Sequence, residues 1–264
     1  MNYRRGDAFQ ANLDALFSFL SAAAAASSGF AMSTAGGAAP DQAYGLAQCR
    51  GDVSVSDCRA CLNHTAHEMA AGGSACASRR NAMLVHEGCL LRYSNASFFG
   101  APYNGDPIYE VANVQNNAAQ PERFASRLSA LLSSLKSKAA YGSLRMFAIG
   151  AVGHTPFVTI YGMARCTWDT AADDCNICLD IVVKTIPKCC SGKEGGRVFA
   201  RSCLVRFEVY RFYNEETAEA AMAPALPPAS GGGRVNGSDL SGSPRSTGQL
   251  TLPSRPPDDL LLLY

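Results

Sequence analysis

Two hydrophobic rhythms alternate along this chain. Over residues 9–27 apolar side chains return every three or four positions, with Phe9, Leu13, Leu16, Phe17 and Leu20 on one face, which predicts an amphipathic helix. The same rhythm returns over residues 121–138. Between and after these helices lie runs with a period of two, at residues 30–33, 43–49, 145–153 and 157–166, and in "GRVFAR" and "CLVRFEVYRFY". Each predicts a strand, and an extra strand around "PIYEVANV" precedes the second helical run. Ser54 with Asp57, and Thr170 with Asp173, resemble capping boxes and predict a further helix starting near Ser56 and at the matching place in the second half. The order helix, strand, strand, helix, strand, strand predicts an α+β fold, with two helices packed on one face of an antiparallel sheet of about five strands.

That order occurs twice because the sequence does. YGLAQC at residues 44–49 returns as YGMARC at 161–166, and DCRACL at 57–62 as DCNICL at 174–179, both at an offset of 117. "FQANLDALFSFL" from Phe9 matches "FASRLSALLSSL" from Phe124, and "CLLRYSNASFF" from Cys89 matches "CLVRFEVYRFY" from Cys203. The expected organisation is a first domain over residues 1–100, a linker at 101–107, a second domain over 108–214 and a tail over 215–264. Arg4, Arg5 and the alanine-rich run after them imitate a signal peptide, but the matching segment of the second copy lies in mid-chain, which favours helix. The tail is rich in Pro, Gly and Ser and is expected to be disordered. Its closing leucines at 260–263 are far fewer than the ~20 apolar residues that a membrane span requires, and no other run supplies one.

Composition narrows the chemistry. A net charge of +1 over 264 residues offers no general attraction for nucleic acid or an anionic membrane. Eleven cysteines, all between residues 49 and 203, point to disulfides in an oxidising compartment or to metal sites. Cys58-x-x-Cys61 could begin a zinc site, yet no second pair follows it, and His64, His67 and His86 have no counterparts in the second copy, whose region holds only His154. As a redox pair it would carry Asp57 beside the attacking thiol, which opposes thiolate formation. Structural staples fit the repeat better. Cys58 and Cys61 lie one helical turn apart, so one reaches back to Cys49 and the other forward to Cys89, and Cys166–Cys175 and Cys178–Cys203 repeat the pattern. No nucleophile elbow, phosphate loop or HExxH helix is present, so neither an enzyme, a cofactor nor a metal is expected. Sequons at Asn63, Asn95 and Asn236 fit a secretory route. Trp168, Phe207, Tyr210, Phe212 and Tyr213 are expected in the core.

The doubled Cys-x8-Cys-x2-Cys, preceded by YGLAQC or YGMARC and followed by "GGRVFARSCLVRFEVYRFY", resembles the ginkbilobin-homologous, or salt-stress-response/antifungal, domain over residues 1–213. Tandem copies are similar to plant cysteine-rich secretory repeat proteins and to the ectodomains of cysteine-rich receptor-like kinases. The resemblance implies a five-stranded antiparallel sheet with two helices, and the same cysteine pairing. It also implies an opening cysteine that pairs with the position of Cys76. Residues 1–10 hold none, so the chain is expected to start late, without its signal peptide and first strand. The second copy lacks the opening cysteine too, and Cys190 has Cys189 as its neighbour, leaving a vicinal disulfide or two thiols.

The family's founding antifungal member binds mannose through an Asn, an Arg and a Glu. Counted from the matching cysteines, the Arg falls on Met83 and Arg197 and the Glu on Ser94 and Glu208, with the Asn near residues 113–116. Only the second copy keeps both charges. If the hairpin turns at Ser202 and Cys203, Arg197 and Glu208 stand opposed across the sheet, where they could bracket sugar hydroxyls or simply pair with each other. The expected function is that of a secreted, apoplastic, non-enzymatic defence or stress protein, with mannose-containing glycans or a cell-surface protein as partner. The alternative is the truncated extracellular region of a receptor-like kinase.

Overall fold

Asp7 begins the first helix by accepting a hydrogen bond from the Gln10 backbone at 3.0 Å, and α1 then runs over Ala8–Ala26 with the five apolar residues of its stripe buried. The computed structural model describes residues 2–71, 76–105 and 107–222, and the backbone of 261–263. After α1 come β1 (Phe30–Ala35), β2 (Ala43–Cys49), α2 (Val55–Ala70), β3 (Asn81–Val85) and β4 (Cys89–Ser94). The second unit opens with β5 (Tyr109–Ala112) and α3 (Pro121–Ser137), which ends in a π-helical turn at Lys138–Gly142. It continues with β6 (Phe147–Thr155), β7 (Val158–Cys166), α4 (Ala172–Cys189), β8 (Gly196–Phe199) and β9 (Cys203–Glu208). Ser54 caps α2 as expected, its hydroxyl accepting from the Asp57 backbone at 3.1 Å. The cap expected of Thr170 is corrected: Ala171 precedes α4, and the Thr170 hydroxyl is taken by Thr167 at 3.0 Å.

The fold is α+β, with two antiparallel sheets. The second sheet has the order β5-β8-β9-β7-β6, and the first has the same order in its own elements, β1-β2-β4-β3, ending on a short strand β10 (Leu261–Leu263). Thus β10 lies beside β3 where β5 lies beside β8, so the position expected to be vacant in the first domain is filled from the far end of the chain. Each sheet packs α1 and α2, or α3 and α4, on one face, and these cores are separate. Gly45 and Gly162, the glycines of the repeated motif, set that contact. A Cβ at Gly45 would lie 2.7 Å from Leu16 and Leu20, and one at Gly162 2.9 Å from Leu135, so a larger residue would lift the helix off the sheet.

The other faces of the two sheets are also buried, against each other. Leu46, Met83, Val85 and Leu90 of the first domain share one apolar cluster with Phe147, Ile149, Met163, Phe199 and Leu204 of the second. The strands β4 and β9 are therefore buried on both faces, as a sheet sandwiched between layers must be. Disulfides join Cys49 to Cys58, Cys61 to Cys89, Cys166 to Cys175 and Cys178 to Cys203, and a vicinal bridge joins Cys189 to Cys190. In the chain-entropy account loops of 9 and 28 residues are worth roughly 3 and 3.5 kcal/mol each. Every bridge lies within one domain, and Cys76 is buried in the first core.

The disordered tail expected from residue 215 is corrected at two places. A fifth helix, α5 (Glu215–Met222), lays Ala218 and Ala221 into the interdomain cluster, and β10 pairs with β3. The pattern concealed α5 because its buried residues are two alanines, with Met222 half-buried beside them at its end. The remainder of the tail, with the sequon at Asn236, lies outside the described residues. Among the described residues no helix is long and apolar enough to cross a membrane.

Two outcomes check this part of the fold. An eight-residue helix is not stable alone, so Ala218→Asp, which forces a charge into a fully buried position, is expected to release α5 and lower the thermal midpoint by several degrees. An unchanged midpoint would show that α5 contributes nothing to the interface. Deletion of residues 261–263 is expected to speed amide exchange within Met83–Val85 while leaving β9 unaffected; equal exchange before and after would remove β10 from the sheet.

Candidate functional site

Arg197 and Glu208 both lie on the face of the second sheet that meets the first domain. Residues 203, 205 and 207 of β9 point into the helix-covered core, so 204, 206 and 208 point the other way. The expected opposition of Arg197 and Glu208 is corrected by the register. The β8–β9 turn closes between Ala200 and Cys203, one residue earlier than supposed, with the Ala200 N–H donating to the Cys203 carbonyl at 2.9 Å. Arg197 therefore faces Arg206, and Glu208 faces Tyr161 on β7. A one-residue difference in the turn moves the pairing by two, which keeps the side chains on the same face but changes their neighbours.

Two arginines side by side require an anion, and the first domain supplies it. Glu87, in the β3–β4 turn, accepts from Arg50 Nη1 at 2.7 Å and from Arg206 Nη1, and Arg197 Nη1 approaches it to 3.8 Å. Arg50 is itself forked onto Asp52, with Nη2 to Oδ2 at 2.9 Å, and also donates to the Phe212 carbonyl at 3.2 Å. Asp52 in turn accepts from the Asn214 N–H at 2.9 Å, and its carbonyl accepts from Thr217 Oγ1 at 2.6 Å, tying the start of α5 to the first domain. The Arg50-Gly51-Asp52 tripeptide is thus turned inward.

On the second domain Arg206 donates through Nε to Glu208 at 3.1 Å and through Nη2 to Tyr210 at 3.0 Å, while its guanidinium lies 4.2 Å from the centre of the Phe212 ring. Glu208 owes its seat to Gly195, where a Cβ would lie 1.9 Å from Glu208 Oε2. Burial pushes the Glu208 carboxyl above its ordinary value against the pull of Arg206. For Arg206 burial acts against the charge, but Glu87 and Glu208 outweigh it and hold the group above its ordinary value. Burial, with Arg50 nearby, lowers Arg165 to about 10, and its Nη1 has no hydrogen-bond partner among the described residues. The amide of Gln48 closes the other end, donating to the Cys166 carbonyl at 2.9 Å and accepting from the Trp168 N–H at 3.1 Å.

The side chains of Arg197 and Glu208 are only 14% and 8% exposed, and their polar groups are engaged by Glu87 and Arg206. Tyr210, expected in the core, is 46% exposed and stands at the rim of the cluster beside Arg206. Asn113, from the stretch where the third sugar residue is expected, hydrogen-bonds through its N–H to the carbonyl of Gly195, the residue beside Glu208, at 2.9 Å. Trp168 stacks on Phe30 of the first domain at 5.5 Å. Glu87, Arg50, Asp52 and Arg206 escaped the sequence reading. The alternation of β9 signalled Arg206, but nothing local marks Glu87 as its partner.

Cys58 and Cys61 are each oxidised to a different partner, so they are neither a dithiol couple nor a thiolate pair for zinc. Asn63 is exposed on α2, and Asn95 lies one residue beyond β4 rather than within a strand. Among the described residues His64, Glu68 and His86 form a separate cluster able to share a cation.

Comparison with known proteins agrees with this architecture. The family model described as salt stress response/antifungal matches residues 1–96 and 111–210. The chain is 38% identical over 211 residues to an antimicrobial ginkbilobin-2-like protein of Castanea crenata, covering 80% of this chain and 84% of that one. It is 38% identical over 209 residues to cysteine-rich repeat secretory protein 38 of Arabidopsis thaliana, covering 77% and 78%. Similarity to cysteine-rich receptor-like protein kinase 25 of the same plant is also 38% over 231 residues, but the aligned part is only 33% of that kinase. The crystal structure of the tandem DUF26 ectodomain of the Arabidopsis receptor-like protein PDLP8 shares the fold, with a TM-score of 0.67 at 24% identity over 80% of this chain and 95% of that one. With both halves matched and both stapled alike, the chain belongs to the salt stress response/antifungal family as a tandem pair of its domains.

Proposed function

We propose that this chain acts outside the cell as a non-enzymatic recognition module in plant defence or stress responses, working through the outer surfaces of a rigid two-domain body. One observation carries this reading. Of the charged groups that the family resemblance assigns to a ligand, Arg197 faces Glu87 across the domain boundary and Glu208 is bonded to Arg206 of its own strand, while Glu87 draws Arg50 and Arg206 together. Such a body presents fixed surfaces to a partner at little ordering cost. Disulfides within each domain suit an oxidising extracellular setting, and the relatives named as secreted or receptor-like proteins support the same placement. The sequons at Asn63 and Asn95 are taken as glycosylation sites. The domain bodies are taken as residues 1–100 and 108–214, with α5 added to the second. A partner on another cell-surface protein is the reading most consistent with a closed charged face.

A second reading keeps a mannose-type glycan at the rim of that face. It is favoured by Tyr210, which offers an exposed ring beside Arg206, and by Asn113, whose N–H bonds to Gly195 next to Glu208. A glycan array with the disulfide-intact full chain, run beside Arg197→Ala, separates the two. The recognition reading expects no mannose-dependent signal from either protein. A mannose signal abolished by Arg197→Ala would overturn it in favour of the rim site, and a signal unchanged by Arg197→Ala would remove Arg197 from any sugar role.

A further inference from the structure

The cysteines repeat between the two domains, but three other metal-competent residues do not. His64 and Glu68 stand four positions apart on α2 and share a helix face, with His64 Nε2 3.8 Å from Glu68 Oε2. The β3–β4 turn brings His86 over the same face, and its Nε2 lies 3.1 Å from the same carboxylate oxygen. The two imidazole rings are 5.3 Å apart between centres. One donor atom from each of the three residues falls within a single 4.8 Å group. Moved to the second domain by the offsets of the repeat, the three positions are Ile181, Thr185 and Ala200, none of which offers a ring nitrogen or a carboxylate.

The backbone that carries this group is fixed from both sides. The Cys61–Cys89 disulfide ties α2, one turn before His64, to the first residue of β4. Thr65 Oγ1 donates to the Cys61 carbonyl at 2.8 Å and lies 3.3 Å from Cys89 Sγ. The His86 N–H donates to the Cys89 carbonyl at 2.9 Å, closing the turn on which the ring is mounted. The side chains grade from 12% exposed at His86, through 26% at Glu68, to 71% at His64. The inner two are therefore held in place, and the outer one can swing.

We propose that His64, Glu68 and His86 form a binding site for a divalent cation of the zinc class on the first domain. Bonds of about 2.0–2.2 Å at tetrahedral angles place donor atoms roughly 3.3 Å apart. The spacings of 3.1 and 3.8 Å bracket that value, and rotation of the exposed His64 ring closes the widest gap. Two imidazoles select zinc, copper or nickel over magnesium and calcium, which prefer oxygen donors. Three protein ligands leave one position for water or for a donor from a partner. The ion would bridge α2 to the β3–β4 turn, and because Glu87 follows His86, it would steady the residue on which the domain contact turns.

The test uses the full chain, without an affinity tag and with its disulfides intact, titrated calorimetrically with zinc chloride and by visible absorption with cobalt(II). One ion per chain is expected, with a cobalt spectrum of tetrahedral type and a higher thermal midpoint in the presence of zinc. His64→Ala, at an exposed position that does not threaten folding, and His86→Ala are each expected to weaken binding by roughly tenfold or more, since even the outer hydrogen-bond partners of metal ligands are worth about 10–100-fold. His67→Ala, outside the cluster, is expected to bind as the parent does. Absence of saturable binding, binding that survives both His64→Ala and His86→Ala, or binding lost on His67→Ala would each overturn the site.

Discussion

The carboxylate of Glu87 is the point on which the two-domain arrangement depends. It comes from the first domain and lies between Arg50 of its own domain and Arg206 of the other. Without it, Arg197 and Arg206 would face each other on adjacent strands, with Glu208 beside Arg206 to offset them in part. Charges this deeply buried are expensive to desolvate, so the value of such a network lies less in net stability than in permitting one arrangement of the partners. The apolar cluster around Leu46, Met163, Phe199 and Leu204 drives the two sheets together, and the charged cluster fixes how they meet. Because every disulfide lies within a domain, no covalent bond maintains that orientation.

Burial of the sheets on both faces explains how the repeat diverged. The helix-facing positions of β2 and β7 stay equivalent, down to the glycines that admit Leu16 and Leu135. The opposite face keeps equivalent apolar residues, such as Leu46 and Met163 or Leu90 and Leu204, and differs in its polar ones. Gln48 matches Arg165 in the repeat, yet the first bonds to the second domain's backbone while the second lies buried beside Arg50. Here the duplicated unit breaks its symmetry where it packs against its own copy, and it does so with polar side chains.

What the sequence disclosed and what it withheld follow the range of the forces involved. The α1 stripe from Phe9 to Leu20, the β2 strand and the cysteine spacings were legible because each is set by residues within a few turns or one hairpin of each other. Arg197 pairs two positions from Glu208, at Arg206, since alternation alone does not place the turn at Ala200. Glu87 and Arg206 are 119 positions apart, and no local pattern joins them. The helix at Glu215–Met222 was hidden in a tail whose composition suggests disorder, because its buried residues are the small Ala218 and Ala221 and its polar ties run to the distant Asp52. His64 and His86 stand out in the sequence and His64 shares a face of α2 with Glu68, but it takes the fold, with the Cys61–Cys89 bridge, to set that face beside the turn that carries His86.

The most direct test of the account is a double-mutant cycle between Glu87 and Arg206, with Glu87→Gln, Arg206→Met and the pair together followed by equilibrium unfolding with the disulfides intact. Close charge pairs across well-packed interfaces show coupling energies of about 1.5 kcal/mol or more, and a favourable coupling of at least that size is predicted here. Additive effects, with a coupling indistinguishable from zero, would contradict the claim that Glu87 holds the two domains in register.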